Sequence, residues 1–192
     1  MHESMDRLGR KVLEFYEVPG AEAPYLLYVY APDQEYPVRR DLGALRLWLQ
    51  AKGVRCVAIS LADLFWQALE ESGWLGPLID EERRAEGDAA ALAAVHRSIG
   101  EVLREPPTLP DRVVAALAET DARAAVFLYR AGSLYPAYRT STLLDDLRAR
   151  IDRPVTLLYP GHVVGEFGLA FMSRCEPAYG YRATIVPRGA DR

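Results

Sequence analysis

Short apolar segments alternate with helical patterns along most of this chain. The segment Tyr25–Ala31 consists of aliphatic and aromatic residues and has the length of one strand. Continuous apolar segments of this length are typical of strands that are covered on both faces of a sheet. By this criterion the predicted strands are Tyr25–Ala31, Val54–Ser60, Ala124–Tyr129, Pro154–Tyr159 and Tyr181–Val186.

Between these segments, large apolar residues recur every three or four positions, which predicts helices. Ser4 is expected to cap the first helix, and Gly53 is expected to follow the end of the second. The stretch Trp74–Thr120 contains no strand pattern, so we expect two or three helices there, the last two separated by prolines. The predicted helices are Met5–Glu17, Val38–Lys52, Asp63–Glu71, Trp74–Glu86, Ala89–Arg104, Leu109–Thr120 and Thr140–Arg150.

The alternation of strands and helices predicts an α/β fold of Rossmann-like character. Its mainly parallel sheet of about five strands would be covered by helices on both faces. The helical stretch at about 74–120 would be an insertion between strands two and three. We expect residues 1–192 to form a single domain.

Composition and charge narrow the class of protein. No apolar segment among the 192 residues approaches the ~20 needed to span a bilayer, and the polar N-terminus does not resemble a signal peptide. We therefore expect a cytoplasmic protein without membrane contact. The net charge of −4 makes direct nucleic-acid binding by this chain alone unfavourable. Of the 23 basic residues, only Lys11 and Lys52 are lysines.

Polar residues follow the predicted strands at their carboxyl ends, which would share one edge of a parallel sheet. Ligands and partners of open α/β sheets usually bind at this edge. The candidate contact residues for a ligand or partner are Asp33, Glu35, Arg39, Asp63, Gly132, Tyr135, Arg139 and His162.

Several of these residues also have a purely structural explanation. Asp33 could cap the helix that follows it, Glu35 would be favoured near a helix N-terminus, and Asp63 follows Ser60 at the spacing of a capping box. A cation at the start of a helix opposes the helix dipole. Arg39 and Arg139 therefore either bind something or pair with a nearby carboxylate.

No catalytic motif is present. The chain has no Walker loop and no Gly-x-Ser-x-Gly elbow, and the glycines of Gly161–Gly168 do not form a Gly-x-Gly-x-x-Gly loop. A single histidine near the predicted edge, His162, cannot form a typical multi-ligand metal site by itself. We expect no metal and no cofactor. The catalytic residues are unknown, and the question of enzymatic activity stays open, with a non-enzyme favoured.

Taken together, these segments resemble the BrxB family of bacterial BREX phage-defence systems. The resemblance extends from Pro24 to Val186. The pieces that carry it are Tyr30-x-Pro32-x-x-Glu35-x-x-Val38-Arg39, Leu45-x-x-x-Leu49-x-x-x-Gly53-Val54, Ile59-x-Leu61-x-Asp63-Leu64-Phe65, Leu69-Glu70-Glu71-x-Gly73-Trp74-Leu75, Val126-Phe127-Leu128, Gly132-x-x-Tyr135-Pro136-x-x-Arg139, Leu143-Leu144-x-x-Leu147 and Tyr159-Pro160-Gly161.

The resemblance implies a component of a multi-protein antiviral defence system. Our leading hypothesis is a non-catalytic assembly or regulatory subunit that binds other BREX components, first a PglZ-like protein of the alkaline-phosphatase fold. Aromatic loops around Tyr36, Tyr135 and Tyr138 are expected to be exposed and to serve this role. The alternative is a degenerate nucleotide- or phosphate-binding domain that uses Arg39, Arg139 and the Gly161–Gly168 turn.

Overall fold

The computed structural model describes residues 1–18 and 22–189. Its helices and strands follow the predicted order, with most boundaries displaced by one to three residues. The helices are α1 (Glu3–Glu17), α2 (Glu35–Ala51), α3 (Leu61–Ser72), α4 (Leu75–Arg84), α5 (Ala89–Val102), α6 (Leu109–Leu117) and α7 (Thr140–Arg148). The strands are β1 (Tyr25–Tyr30), β2 (Cys56–Ser60), β3 (Ala125–Tyr129), β4 (Val155–Val164), β5 (Gly168–Phe171) and β6 (Thr184–Pro187).

The sheet is mainly parallel, and its strand order is β2-β3-β4-β1-β6. Every neighbouring pair along this order runs in the same direction, with Leu27 opposite Leu157 at the centre. The predicted α/β fold and its helical insertion after β2 are therefore confirmed. Within the described residues, no helix is long and apolar enough to cross a membrane.

The two faces of the sheet are buried by different helices. Leu26, Tyr28 and Tyr30 of β1 pack with α1 and α2 in one core. The alternate residues of β1 face the other core, which is built mainly from α3, α5, α6 and α7. This alternation is the period of two that a strand imposes on its side chains. The sheet thus separates two hydrophobic cores.

The second strand is less buried than its sequence predicts. β2 is an edge strand, and Cys56, Val57 and Ala58 are all half-buried. Among the strands of the described residues, β2 pairs with β3 alone, so its outer side has no neighbouring strand there. The prediction of a fully buried strand here was wrong, because position in the sheet is not encoded in the local pattern.

The predicted fourth strand continues past Tyr159 and forms a hairpin. Gly161 to Val164 pair antiparallel with β5, an element that the sequence pattern did not predict. The Gly161–Gly168 segment is therefore a hairpin. A Cβ atom at Gly161 would lie 2.3 Å from the Ala170 carbonyl oxygen, so only glycine permits this close approach.

A buried polar network joins the chain ends to the core under α1 and α2. Arg188 donates from Nη1 to Asp41 Oδ2 at 3.0 Å, and both side chains are less than a tenth exposed. The Ser4 and Tyr28 hydroxyls are 2.7 Å apart in the same network. The expectation that Ser4 caps α1 was wrong, since the cap is His2, whose ring accepts from the Ser4 amide.

Candidate functional site

A cleft of about 270 Å³ opens at the carboxyl edge of the sheet. After β1 the chain continues into α2, which covers one face of the sheet, whereas after β3 it continues towards α7, which covers the other face. The two connections therefore leave this edge towards opposite faces of the sheet. Such a divergence is where open α/β sheets usually bind ligands. We call this feature the rim cleft; it is lined by Pro32, Glu35, Ala62, Trp66, Arg130, Gly132, Ser133, Pro160 and Met172.

Glu35 contributes a partly satisfied carboxylate to the rim cleft. The buried Tyr30 hydroxyl donates a hydrogen bond to its Oε2 atom. Its Oε1 atom is buried and has no hydrogen-bond partner among the described residues. Burial, and then the neighbouring carboxylate, raise the pKa of Tyr30, so this phenol stays protonated as a donor. Glu35 therefore retains one acceptor for a group that enters the cleft.

Arg130, which lines the rim cleft, forms an ion pair with Asp63 beside it. The Arg130 Nη1 atom lies 2.8 Å from Asp63 Oδ1 and 3.4 Å from the Ser60 hydroxyl. Ser60 caps α3 by accepting from the Asp63 amide at 3.3 Å, as its spacing predicted. Arg130 itself has a left-handed backbone (φ 58°), which turns the chain sharply after β3. The pair is exposed, so it contributes little to stability.

Three arginines surround a second concavity of about 460 Å³ beside α2. We call it the arginine surface and define it by Tyr36, Arg39, Arg40, Arg46, Ala58 and Tyr129. The Arg39 guanidinium lies 5.9 Å from the Tyr36 ring centre and 5.8 Å from that of Tyr129. Within residues 1–18 and 22–189, none of the three arginines lies within 4 Å of a carboxylate oxygen.

A third concavity, of about 420 Å³, lies between α7 and the β4–β5 hairpin. Tyr135 and Arg139 are among its lining residues, together with Tyr159 and Tyr181. We call it the aromatic cavity. Tyr135 is half-buried and stands against Phe171 with ring centres 6.1 Å apart. Tyr138 is only 3% exposed, so the expectation of an exposed aromatic loop at that residue was wrong.

The eight candidate residues are distributed over these three concavities and the surface between them. Glu35, Asp63 and Gly132 lie at the rim cleft, and a Cβ atom on Gly132 would meet the Met172 sulfur at 3.2 Å. Arg39 belongs to the arginine surface.

Two of the candidate residues lie outside these concavities. Asp33 is exposed in a short 3-10 helix and caps neither that helix nor α2. His162 is exposed in the hairpin, with Nδ1 3.0 Å from the Ser173 hydroxyl.

Arg39 and Arg139 do not share a site, because they line different concavities. Neither arginine pairs with Asp33 or Glu35 among the described residues. Within the described residues, no helix directly follows the Gly161–Gly168 hairpin in the chain. The three parts of the alternative phosphate site are thus not brought together: Arg39 lies at the arginine surface, whereas Arg139 and the hairpin border the aromatic cavity.

The candidate residues chosen from the sequence do not include Arg130, Arg46 or Tyr159. Arg130 directly follows β3 and begins the polar stretch at the carboxyl end of that strand, so the strand-end rule does point to it. Arg46 lies in the middle of α2, and Tyr159 lies within an apolar strand, where no local signal marks either residue. In the described residues, no group of three or more His, Cys, Asp or Glu side chains could hold a metal ion.

Comparison with known proteins identifies the family. A family model described as BREX protein BrxB matches residues 57–186, which is more than half of the chain. The matched region runs from β2 to β6 and includes Asp63, Arg130, Arg139 and the hairpin. No curated protein and no solved structure matches the chain significantly. The chain therefore belongs to the BrxB family and is a BREX defence system component.

Proposed function

We propose that this protein is a non-catalytic assembly or regulatory subunit of a BREX anti-phage complex. It binds another component of the system through the arginine surface. The observation that carries this proposal is the absence, within the described residues, of any carboxylate paired with Arg39, Arg40 or Arg46. The lack of a recognisable catalytic motif in the sequence favours the non-catalytic part.

The arginine surface has the composition of an interface hot spot. Tyr36 is 79% exposed, and Tyr129 is half-buried on the sheet beneath it. Tyrosine and arginine are enriched among interface residues that carry binding energy. Because the Arg39 guanidinium lies within cation–π distance of both rings, it is already partly oriented before a partner binds, which lowers the entropic cost of binding.

The chemistry of this surface favours an acidic partner. Guanidinium groups bind carboxylates through paired hydrogen bonds, and the buried Arg46 Nε atom has no hydrogen-bond partner among the described residues. The half-buried Ala58 on the edge strand offers apolar contact between the charges. An acidic face of the PglZ-like protein is the partner that we propose first. Nucleic acid is the weaker choice, because the whole chain carries a net charge of −4.

Co-purification from a host that carries the complete BREX cluster tests this proposal. The tagged wild-type chain should retain the PglZ-like protein, and the R39E/R40E variant should lose it. Each hot-spot contact is worth about 2 kcal/mol, or about 30-fold in affinity, so removing two should weaken binding by roughly several hundred-fold. Both arginines are exposed, so the variant should remain folded.

R84E/R97E is the matched control, because these two arginines are also exposed but lie on α4 and α5, away from the arginine surface. It makes the same charge change and should retain the partner. Equal retention by both variants would refute the arginine surface as the interface. A wild-type chain that co-purifies with no BREX component would refute the subunit role, and retention of another component alone would refute the choice of partner.

A further inference from the structure

The aromatic cavity has the size and walls of a small-molecule site. Its volume of about 420 Å³ is within the ~300–1,000 Å³ typical of ligand pockets. The Tyr159 ring lies against Phe171, with centres 5.2 Å apart, and against Tyr181 at 5.9 Å. The Tyr159 ring meets those of Phe171 and Tyr181 at 47° and 83°, so the three rings form an angled aromatic wall. Tyr181, its half-buried member, is the ring on which a flat ligand could stack.

The start of α7, which borders the aromatic cavity, is cationic. Arg139 occupies the N-cap position of α7, and its side chain makes no capping hydrogen bond. Thr140 and Ser141, the first two residues of α7, also line the cavity, and the first turn carries no acidic side chain. The positive end of the helix dipole and an exposed guanidinium therefore act at one place, which favours an anion.

A buried hydroxyl provides an independent indication of a ligand. The Tyr159 side chain lines the cavity and is fully buried. Its hydroxyl is near enough to that of Tyr181 to have its pKa raised by this neighbour after burial, but no hydrogen bond of normal geometry reaches it within residues 1–18 and 22–189. The Tyr181 hydroxyl instead lies 3.0 Å from that of Thr140. An unsatisfied buried hydroxyl is costly, so a polar group in the cavity would relieve it.

We propose that the aromatic cavity binds a nucleoside monophosphate or a phosphate ester of similar size and shape. The phosphate contacts Arg139 and the start of α7, and the base stacks on the Tyr181 ring of the aromatic wall. The Tyr159 hydroxyl forms a hydrogen bond with a polar group of the ligand. Glu176 also lines the cavity and is exposed. Because its carboxylate repels additional negative charge, the cavity favours a monophosphate over a triphosphate.

Cysteine protection in the wild-type chain tests this site without any mutation. Cys175 lines the cavity, whereas Cys56 is on β2 and lies outside it, and both thiols are free. Burial raises the pKa of Cys175, with the Arg139 charge partly offsetting it, so alkylation should be followed at mildly alkaline pH. Adenosine monophosphate at millimolar concentration should slow alkylation of Cys175 but not of Cys56.

Calorimetry with adenosine monophosphate then identifies the contacts. R139Q should weaken binding by about tenfold or more, because it removes a charged hydrogen-bond donor. Y159F should weaken it by about threefold, the loss expected for one neutral hydrogen bond. R174Q is the control, since this exposed arginine follows β5 but does not line the cavity.

Comparison of ligands completes the test. Adenosine, which lacks the phosphate, and adenosine triphosphate, which carries extra charge, should both bind more weakly than the monophosphate. The absence of Cys175 protection by millimolar adenosine monophosphate would refute the site. Equal affinity of R139Q and R174Q would refute the phosphate position, and equal binding of adenosine would do the same. None of these outcomes depends on binding of a BREX partner to the arginine surface.

Discussion

Two groups of arginines in this protein differ in what surrounds them. Arg188 and Arg112 are buried and paired with Asp41 and Glu71, at 3.0 and 2.6 Å respectively. In the arginine surface, by contrast, Arg39 lies over two tyrosine rings, and none of the three arginines has a carboxylate partner among the described residues. The first group joins distant segments of the chain, and the second group is directed outward. The side chain that an arginine pairs with therefore indicates whether the arginine stabilises the fold or is available to bind a partner; its position in the sequence does not.

The physical basis of this difference is desolvation. A buried guanidinium loses its hydration and must regain hydrogen bonds from a carboxylate, whereas an exposed one keeps water as its partner. Arg188 also donates to the Tyr28 hydroxyl at 3.4 Å, and Arg112 donates to the Pro107 carbonyl at 3.2 Å. The arginine surface exchanges its water only when a partner arrives.

The largest effect is expected from breaking the buried pair. D41A should lower the free energy of unfolding by about 3–5 kcal/mol, because it leaves the Arg188 charge buried without its carboxylate. Urea denaturation measures this change. D33A is the control at an exposed position and should change stability by less than about 0.5 kcal/mol. A D41A protein as stable as D33A would contradict the structural role of the pair.

A smaller loss is expected at Arg112. R112A should lower the free energy of unfolding by about 2 kcal/mol, because the side chain is 9% exposed and connects α6 to α3 through Glu71. Chemical denaturation also measures this variant. R97A, at an exposed position on α5, is the control. If both variants were equally stable, burial would not distinguish the two groups of arginines.

Substitutions in the arginine surface should have almost no effect on the free energy of unfolding. R39A/R40A should change the free energy of unfolding by less than about 0.5 kcal/mol, because both side chains are exposed and neither has a carboxylate partner among the described residues. Its thermal unfolding should match that of the wild-type chain. A decrease in the free energy of unfolding as large as that of R112A would show that these arginines stabilise the fold. The argument that they serve recognition would then no longer hold.

The pH dependence of stability should distinguish Glu71, which pairs with the buried Arg112, from its exposed neighbour Glu70. Hydrogen bonds from Arg112 and Gln67 lower the pKa of Glu71 below its usual value of 4.5. Since the folded pKa is the lower one, this stabilisation is present above the unfolded pKa and is lost as the pH falls towards the folded pKa. E71Q should therefore flatten the acid side of the stability profile, and the neighbouring exposed E70Q should not. Parallel profiles for the two variants would contradict this assignment.

The sequence by itself determined the order and type of most elements. The apolar segments at β1 and β3 and the three-to-four-residue spacing in α2 and α7 specify strands and helices through local geometry. Ser60 capped α3 as its spacing to Asp63 predicted, because a cap depends only on neighbouring residues. The parallel sheet followed from the alternation of these elements.

Only the tertiary structure decided which of these residues meet. Asp41 and Arg188 are separated by 147 positions, and strand order rather than any local pattern brings them together. The same applies to the hairpin, which extends β4 through Pro160 and Gly161, and to the aromatic cavity that the hairpin closes against α7. Local periodicity reports which side chains share a face, whereas pairing across the fold depends on how crossovers place distant segments.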